Sequence, residues 1–222
     1  MTVLIAITGG SGSGKSTVAT ALRDALPEGE AVLVSEDWYY LDCSLFPDFD
    51  AATFDFDDIA IRDHALLREH LQALKAGQAV TAPDYCFVHH ARKATGLPVR
   101  PAPVVIVEGS HLLCAPEVAA VFDLKVYLDT PDDVRFIRRL LRDQAERGRS
   151  QESVVSQYLK TVRLAHQRFT EKSRAVADIV LQDLSAAVER PGPEAVRAFI
   201  QPLLEHPVLA EVRAQRPAVA QG

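Results

Sequence analysis

Gly9-Gly-Ser-Gly-Ser-Gly-Lys-Ser-Thr17 follows the apolar, β-branched run Val3–Thr8 and opens a segment in which Val18, Ala19, Ala21, Leu22, Ala25 and Leu26 recur at helical spacing. The order is therefore buried strand, glycine loop, helix. Phosphate oxygens need several donors at close range. Glycines let backbone N–H groups approach, and the helix start adds partial positive charge. Lys15 reaches the terminal phosphates, and Ser16 offers a hydroxyl to Mg²⁺. Gly9, Gly14, Lys15 and Ser16 occupy the diagnostic places, with Gly12, Ser13 and Thr17 completing the cradle. A turn that merely joined strand to helix would need neither the lysine nor the hydroxyl pair, so the stretch reads as a nucleoside triphosphate site.

Outward from this loop, Ala31–Ser35, Val104–Val107, Leu124–Leu128 and Ala177–Leu181 are further strand-like runs. Helical patterns lie between them, at Ile59–Lys75, from Thr130 to about Glu146, at Gln151–Glu171 and at Pro193–Leu204. Thr130 is expected to cap the second of these, with Pro131 at its first position. Glu36–Asp58 is irregular and reads as an exposed loop of the active region. The Pro-containing stretch 83–103 carries no clear element. Alternating strands and helices imply an α/β fold: a P-loop NTPase-type three-layer sandwich with a mostly parallel five-stranded sheet. Ligands then sit outside the carboxyl ends of the strands. Residues 1–209 form one expected domain, with a helical lid at about 138–150, a substrate-binding insertion at about 37–100 and a mobile tail at 210–222.

The composition sets limits on function. In 222 residues, 48% are hydrophobic, and 30 acidic against 24 basic side chains give a net charge of −6. That balance argues against general binding to a nucleic-acid backbone or an anionic membrane. No apolar run approaches a membrane span, and Met1–Ile7 lacks a basic leader, so the expected location is cytoplasmic. Cys43, Cys86 and Cys114 show no metal or disulfide spacing and are read as reduced thiols.

Acceptor chemistry must come from the ends of the other strands. Asp37 follows the second strand, placed to orient a substrate hydroxyl or take its proton, although a loop cap would also use it. Glu108 ends the third, where an acid beside the loop holds Mg²⁺ directly or through water, unless it only pairs with a basic side chain. Arg135, Arg138, Arg139, Arg142, Arg147 and Arg149 suit a phosphate clamp on a closing lid, or else a solvated face paired with Asp132, Asp143 and Glu146. Tyr39, Tyr40, Phe54, Phe56, Tyr85 and Phe87, interleaved with Asp55, Asp57, His89 and His90, suit either a nucleoside pocket or a satellite core.

The set resembles the uridine kinase (uridine–cytidine kinase) family of the phosphoribulokinase-like P-loop kinases. Residues 2–182 carry the likeness, through GGSGSGKST at 9–17, SEDWYY at 35–40, FDFDD at 54–58, DYCFVHHARK at 84–93, VIVEG at 105–109 and RRLLRDQAERGRS at 138–150. The resemblance implies that Asp37 is the catalytic base and that Tyr40 is a pocket residue. It puts Asp57 on the ribose hydroxyls beside Phe56, and Tyr85, Phe87 and His90 around a pyrimidine. Arg139, Arg149 and Gln157 become lid-side substrate contacts. Arg142 and Arg147 become contacts to the ATP phosphates, and Glu108 the acid near Mg²⁺. Two departures lie on the acceptor side. The family usually has His-Pro where Asp58-Ile59 stands, a rigid turn expected to be lost here, and commonly has Asp in place of Cys86.

The expected activity is transfer of the γ-phosphoryl group of ATP or GTP to the 5′-hydroxyl of uridine or cytidine, giving UMP or CMP in pyrimidine salvage, with Mg²⁺. The expected partner is the small nucleoside, with homo-oligomerisation open. The alternatives are a same-branch kinase for another ribosyl compound or small metabolite, and a non-catalytic NTP-sensing module.

Overall fold

A computed structural model describes residues 2–51, 53–182 and 192–214. In chain order the strands are β1 Val3–Gly9, β2 Ala31–Ser35, β3 Val80–Ala82, β4 Tyr85–Cys86, β5 Ala91–Arg92, β6 Leu97–Val99, β7 Val104–Gly109, β8 Leu124–Asp129 and β9 Ile179–Gln182. The α-helices are α1 Lys15–Asp24, α2 His64–Lys75, α3 Pro116–Ala119, α4 Asp132–Arg147, α5 Gln151–Gln157, α6 Arg163–Arg168, α7 Pro193–Leu204 and α8 Pro207–Ala214. The central sheet runs β2-β7-β1-β8-β9 with every pairing parallel, as the sequence predicts.

Strand periodicity divides the core into two. Val3, Ile5 and Ile7 point to one face with Val104, Ile106, Leu124 and Val126, where α1 (Val18, Leu22) and α7–α8 (Ile200, Leu203, Leu209) cover them. Leu4 and Ala6 point to the other face with Val105 and Val107, under α2 (Leu67, Leu71, Leu74) and Val118 of α3. Apolar residues at both parities of β1 explain its continuous hydrophobic reading, since a parallel strand covered on both faces has no polar side. Among the described residues, no helix is long and apolar enough to cross a membrane.

Several local expectations change. The helix expected from Ile59 begins only at His64, where the Asp63 side chain accepts from the Leu66 N–H at 3.1 Å. Ile59–Ile61 is a separate 3₁₀ turn capped by Asp58, whose carboxylate accepts from the Ala60 N–H at 2.8 Å. The turn expected to be lost with His-Pro is thus rebuilt by an aspartate. Thr130 does not cap α4, for Pro131 takes that place and the Thr130 hydroxyl donates to the carbonyl of Ser13 at 3.1 Å, tying β8 to the glycine loop.

The helix expected over Gln151–Glu171 is divided. A π-turn at Tyr158–Val162 separates α5 from α6, and a 3₁₀ stretch covers Thr170–Val176. Stretch 83–103, in which no element was expected, holds the antiparallel ribbon β4–β5 and then β6, which pairs antiparallel with β3 before the stretch. The expected tail from 210 starts inside α8, and residues 215–222 lie outside the described residues.

Leu71 is fully buried under the sheet, so Leu71→Ala should lower the unfolding free energy by about 2–5 kcal/mol, read from a denaturant titration, while nucleotide affinity stays unchanged.

Candidate active site

The glycine loop leaves β1 and enters α1 through Gly14, which is left-handed at φ 93°. Gly12 is left-handed too, and a Cβ there would run into the Arg135 backbone carbonyl, so packing of α4 against the loop demands glycine. The Lys15 ammonium is buried and donates to the Gly10 carbonyl at 3.1 Å. Burial pushes its pKa down, opposed by the nearby Glu108 and Asp37 carboxylates. The glycine loop, with the Lys15 and Ser16 side chains at the start of α1, lies at the carboxyl end of the central strand.

Glu108 ends β7 beside this loop. Its carboxylate accepts from Ser16 Oγ at 3.2 Å and from Ser35 Oγ at 2.6 Å. Burial raises its pKa despite Lys15. Two hard oxygen ligands at the phosphate end of the loop fit Mg²⁺, which takes its remaining ligands from phosphates and water.

Asp37 lies one residue beyond a 3₁₀ start capped by Ser35, whose hydroxyl accepts from the Asp37 N–H at 3.3 Å. Its side chain is 43% exposed, and Arg62 Nη2 lies 3.8 Å from Oδ1. The base candidate is therefore partly open to water, with Arg62 as its cation neighbour.

The aromatic residues form a wall. Tyr40 stacks on Tyr85 at 5.0 Å, and Phe87 meets both edge-on. Phe56 stacks on His90 at 4.6 Å, backed by Phe49 and Phe54. The β4–β5 ribbon, where Cys86 pairs with Ala91, presents Tyr85, Phe87 and His90 together, with His90 left-handed at its turn. Tyr39 does not join this wall. It is buried in the core beneath α2, with its hydroxyl 3.0 Å from His70 Nδ1.

Asp57 accepts from the Thr161 hydroxyl at 2.8 Å, a residue the π-turn carries toward it. Arg139 donates to Ser11 Oγ at 2.8 Å and to Gln157 Oε1 at 2.9 Å, and Arg149 donates to the same Gln157 oxygen. Asp143, completely buried, gathers four arginines: Arg142 at 2.7 Å, Arg149 at 3.5 Å, Arg139 at 3.6 Å and Arg147 at 3.8 Å. Burial would raise the Asp143 pKa, but these cations outweigh it and hold it low. Arg147 also lies 5.3 Å over the Phe87 ring of the aromatic wall. Arg135 belongs to the scaffold: it is buried, donates to the Thr130 carbonyl at 3.1 Å and pairs with Asp132.

Sequence reasoning missed the charged layer behind Asp37. Glu36, expected in an exposed loop, is fully buried. It accepts from His64 Nε2–H at 2.7 Å and from the His111 N–H at 3.0 Å, with Arg62 Nε 3.8 Å away. A Cβ on Gly109 would collide with it, so the glycine after Glu108 makes room for a carboxylate. The one available signal was an acid directly after a buried strand, and Asp37, its neighbour, absorbed that reading.

The model of the Phosphoribulokinase / Uridine kinase family matches residues 4–188. The chain is 42% identical over 183 residues to a uridine kinase from Borrelia turicatae, covering 82% of this chain and 87% of that protein. It is 44% identical over 183 residues to a uridine kinase from Shewanella baltica, covering 81% and 86%. Among solved structures, phosphoribulokinase from Rhodobacter spheroides is similar at a TM-score of 0.58 and 17% identity, over 82% of this chain and 70% of that one, a likeness of fold.

Acid should weaken the folded state in stages. Burial holds His111 down at about 3 and His166 at about 4, so below their ordinary 6.5 the unfolded chain takes up protons that the folded chain does not. Burial alone would raise Glu36, but the His64 hydrogen bond and Arg62 hold it at about 2, and its stabilisation, complete above 4.5, is lost as pH falls toward 2. The denaturation midpoint should therefore drop steadily from pH 7 to 4. His111→Gln should flatten the part between 6.5 and 4.5; a midpoint constant from pH 7 to 5 would contradict this account.

Proposed function

The chain belongs to the phosphoribulokinase / uridine kinase family, and we propose that this kinase transfers the γ-phosphoryl group of ATP or GTP to the 5′-hydroxyl of uridine or cytidine. The observation that carries the reading is the pair of links Asp37 makes: its carboxylate acts on the buried Lys15 ammonium of the glycine loop, and Arg62, 3.8 Å from it, donates to the Tyr40 phenol of the aromatic wall. The uridine kinase names of relatives at 42% and 44% identity support the acceptor class.

In this reading, loop amides and Lys15 hold the donor phosphates, and Ser16 and Glu108 hold Mg²⁺, which neutralises phosphate charge. Tyr85, Phe87 and the Phe56–His90 stack hold the pyrimidine, while Asp57, steadied by Thr161, takes ribose hydroxyls. Asp37 accepts the proton of the attacking hydroxyl. The transition state is loose and spreads charge over the equatorial oxygens, so positioning and cations do most of the work. Arg142 and Arg147 meet that charge once phosphate draws them from Asp143, and Arg139, Arg149 and Gln157 close on the acceptor. A pure nucleotide sensor needs no acceptor base, so the assembly of Asp37, Tyr40 and Asp57 supports transfer over sensing.

Coupled-assay turnover with ATP and Mg²⁺ should be highest with uridine or cytidine among uridine, cytidine, adenosine, nicotinamide riboside, pantothenate and glycerate. Asp37→Asn should lower kcat about 100- to 10,000-fold with nucleotide binding retained. A different preferred acceptor moves the substrate, and normal turnover in Asp37→Asn removes Asp37 as base.

A further inference from the structure

Arg62 has no part in the roles assigned above, yet it touches several of the groups that do. It lies between the Ile59–Ile61 turn and the Asp63 cap, and its side chain is only 4% exposed. A guanidinium removed from water is costly unless its donors are met. The shortest of its contacts is to Tyr40, whose hydroxyl accepts from Nη2 at 2.6 Å while its own proton goes to the Phe56 carbonyl at 3.0 Å. Nη1 donates to the Asp58 carbonyl at 3.3 Å. The charge stands 3.8 Å from the Asp37 carboxylate and 4.4 Å over the Tyr40 ring. The backbones are joined as well: Tyr40 and Arg62 form an antiparallel bridge, Leu41 N–H donates to the Ile61 carbonyl at 2.9 Å, and Asp63 N–H donates to the Tyr39 carbonyl at 2.8 Å.

One guanidinium thus links the base candidate, the pocket phenol and the loop that follows Asp57. A counter-ion for Glu36 alone would not need this geometry. Glu36 already receives the His64 and His111 donors, and Arg62 approaches it only to 3.8 Å.

We infer that Arg62 is a positioning residue of the acceptor side, holding the Asp37 carboxylate and the Tyr40 phenol in the geometry that brings the acceptor hydroxyl into line. This rests on the kinase reading above. Asp37 is 43% exposed and meets no other cation at ion-pair distance among the described residues, so without Arg62 its carboxylate is free to turn toward water. A misplacement of about 1 Å in a reacting group costs on the order of 100-fold in rate, so the loss belongs in kcat and in KM for the acceptor. ATP affinity, set by the glycine loop, should not move.

The test uses Arg62→Met, Arg62→Met combined with Glu36→Gln, Glu36→Gln alone, Arg62→Lys and Asp37→Asn. Each is assayed with uridine and ATP, with a non-hydrolysable ATP analogue for binding, and with a melting midpoint. Arg62→Met should melt earlier because it strands the buried Glu36 charge. The double variant should recover that midpoint and bind the analogue like the parent, yet keep kcat roughly 10- to 100-fold below Glu36→Gln alone. Arg62→Lys should recover part of kcat, since it restores the charge without the planar fork. A double variant with a recovered midpoint and the kcat of Glu36→Gln would make Arg62 a counter-ion only and overturn the inference. If both Met variants fail to fold, Arg62→Lys decides, and an undiminished kcat there overturns it. Loss of turnover in Asp37→Asn beside a fully active double variant defeats the inference alone, whereas normal turnover in Asp37→Asn defeats the base assignment itself.

Discussion

Hydrogen bonding of β1 to a parallel neighbour on each side sets where the functional groups of this chain stand. Its register with β7 brings Thr8 level with Gly109, and its register with β8 brings Gly9 level with Leu128. β2 runs alongside β7 with Ser35 level with Glu108. Because the strands are parallel, their carboxyl ends emerge together, and the phosphate loop, Glu108 and Asp37 leave the sheet at one edge. A one-residue slip of β1 would exchange Val3, Ile5 and Ile7 with Leu4 and Ala6 between the two faces of the core, so burial on both faces holds the register in place.

Charge is buried directly behind that edge. Lys15, Glu36 and Arg62 lie out of water, beside a His111 that burial keeps neutral, and each has lost hydration that its neighbours must replace. The replacements are specific: a loop carbonyl for Lys15, two N–H donors for Glu36, a phenol and a carbonyl for Arg62. Removing Arg62 would leave the Glu36 carboxylate without its nearest cation, so Arg62 and Glu36 depend on each other. Such mutual dependence behind the site suits a reaction in which alignment matters more than covalent chemistry.

The arginines of α4 and the residues after it follow a different rule. Asp143 collects Arg139, Arg142, Arg147 and Arg149 around one buried carboxylate, which keeps mutually repelling cations within one short segment. Gly148, left-handed at φ 61°, ends α4 and turns Arg149 back toward Gln157. Arg147 meanwhile rests on Phe87, so the end of α4 touches the aromatic wall.

The phosphate loop, the five strands and the alternation that makes them parallel were legible in the sequence because each rests on local pattern: glycines at fixed spacing, β-branched runs and helical periodicity. Asp37 and Glu108 drew notice for the same reason, as acids near the carboxyl ends of such runs. The division of Gln151–Glu171 by a π-turn was not, since its side chains continue the helical pattern and only the approach of Thr161 to Asp57 reveals the inserted residue. Nor was the separation of Tyr39 from Tyr40. Adjacent residues leave the backbone in different directions, and only the packing of α2 sends the first into the core and the second into the wall. Residue types and spacing therefore determined the fold and the phosphate-binding end by themselves. Tertiary structure decided the buried polar layer of Glu36, Arg62, His64 and His111, because a polar side chain reads as exposed until a partner distant in sequence makes its burial affordable.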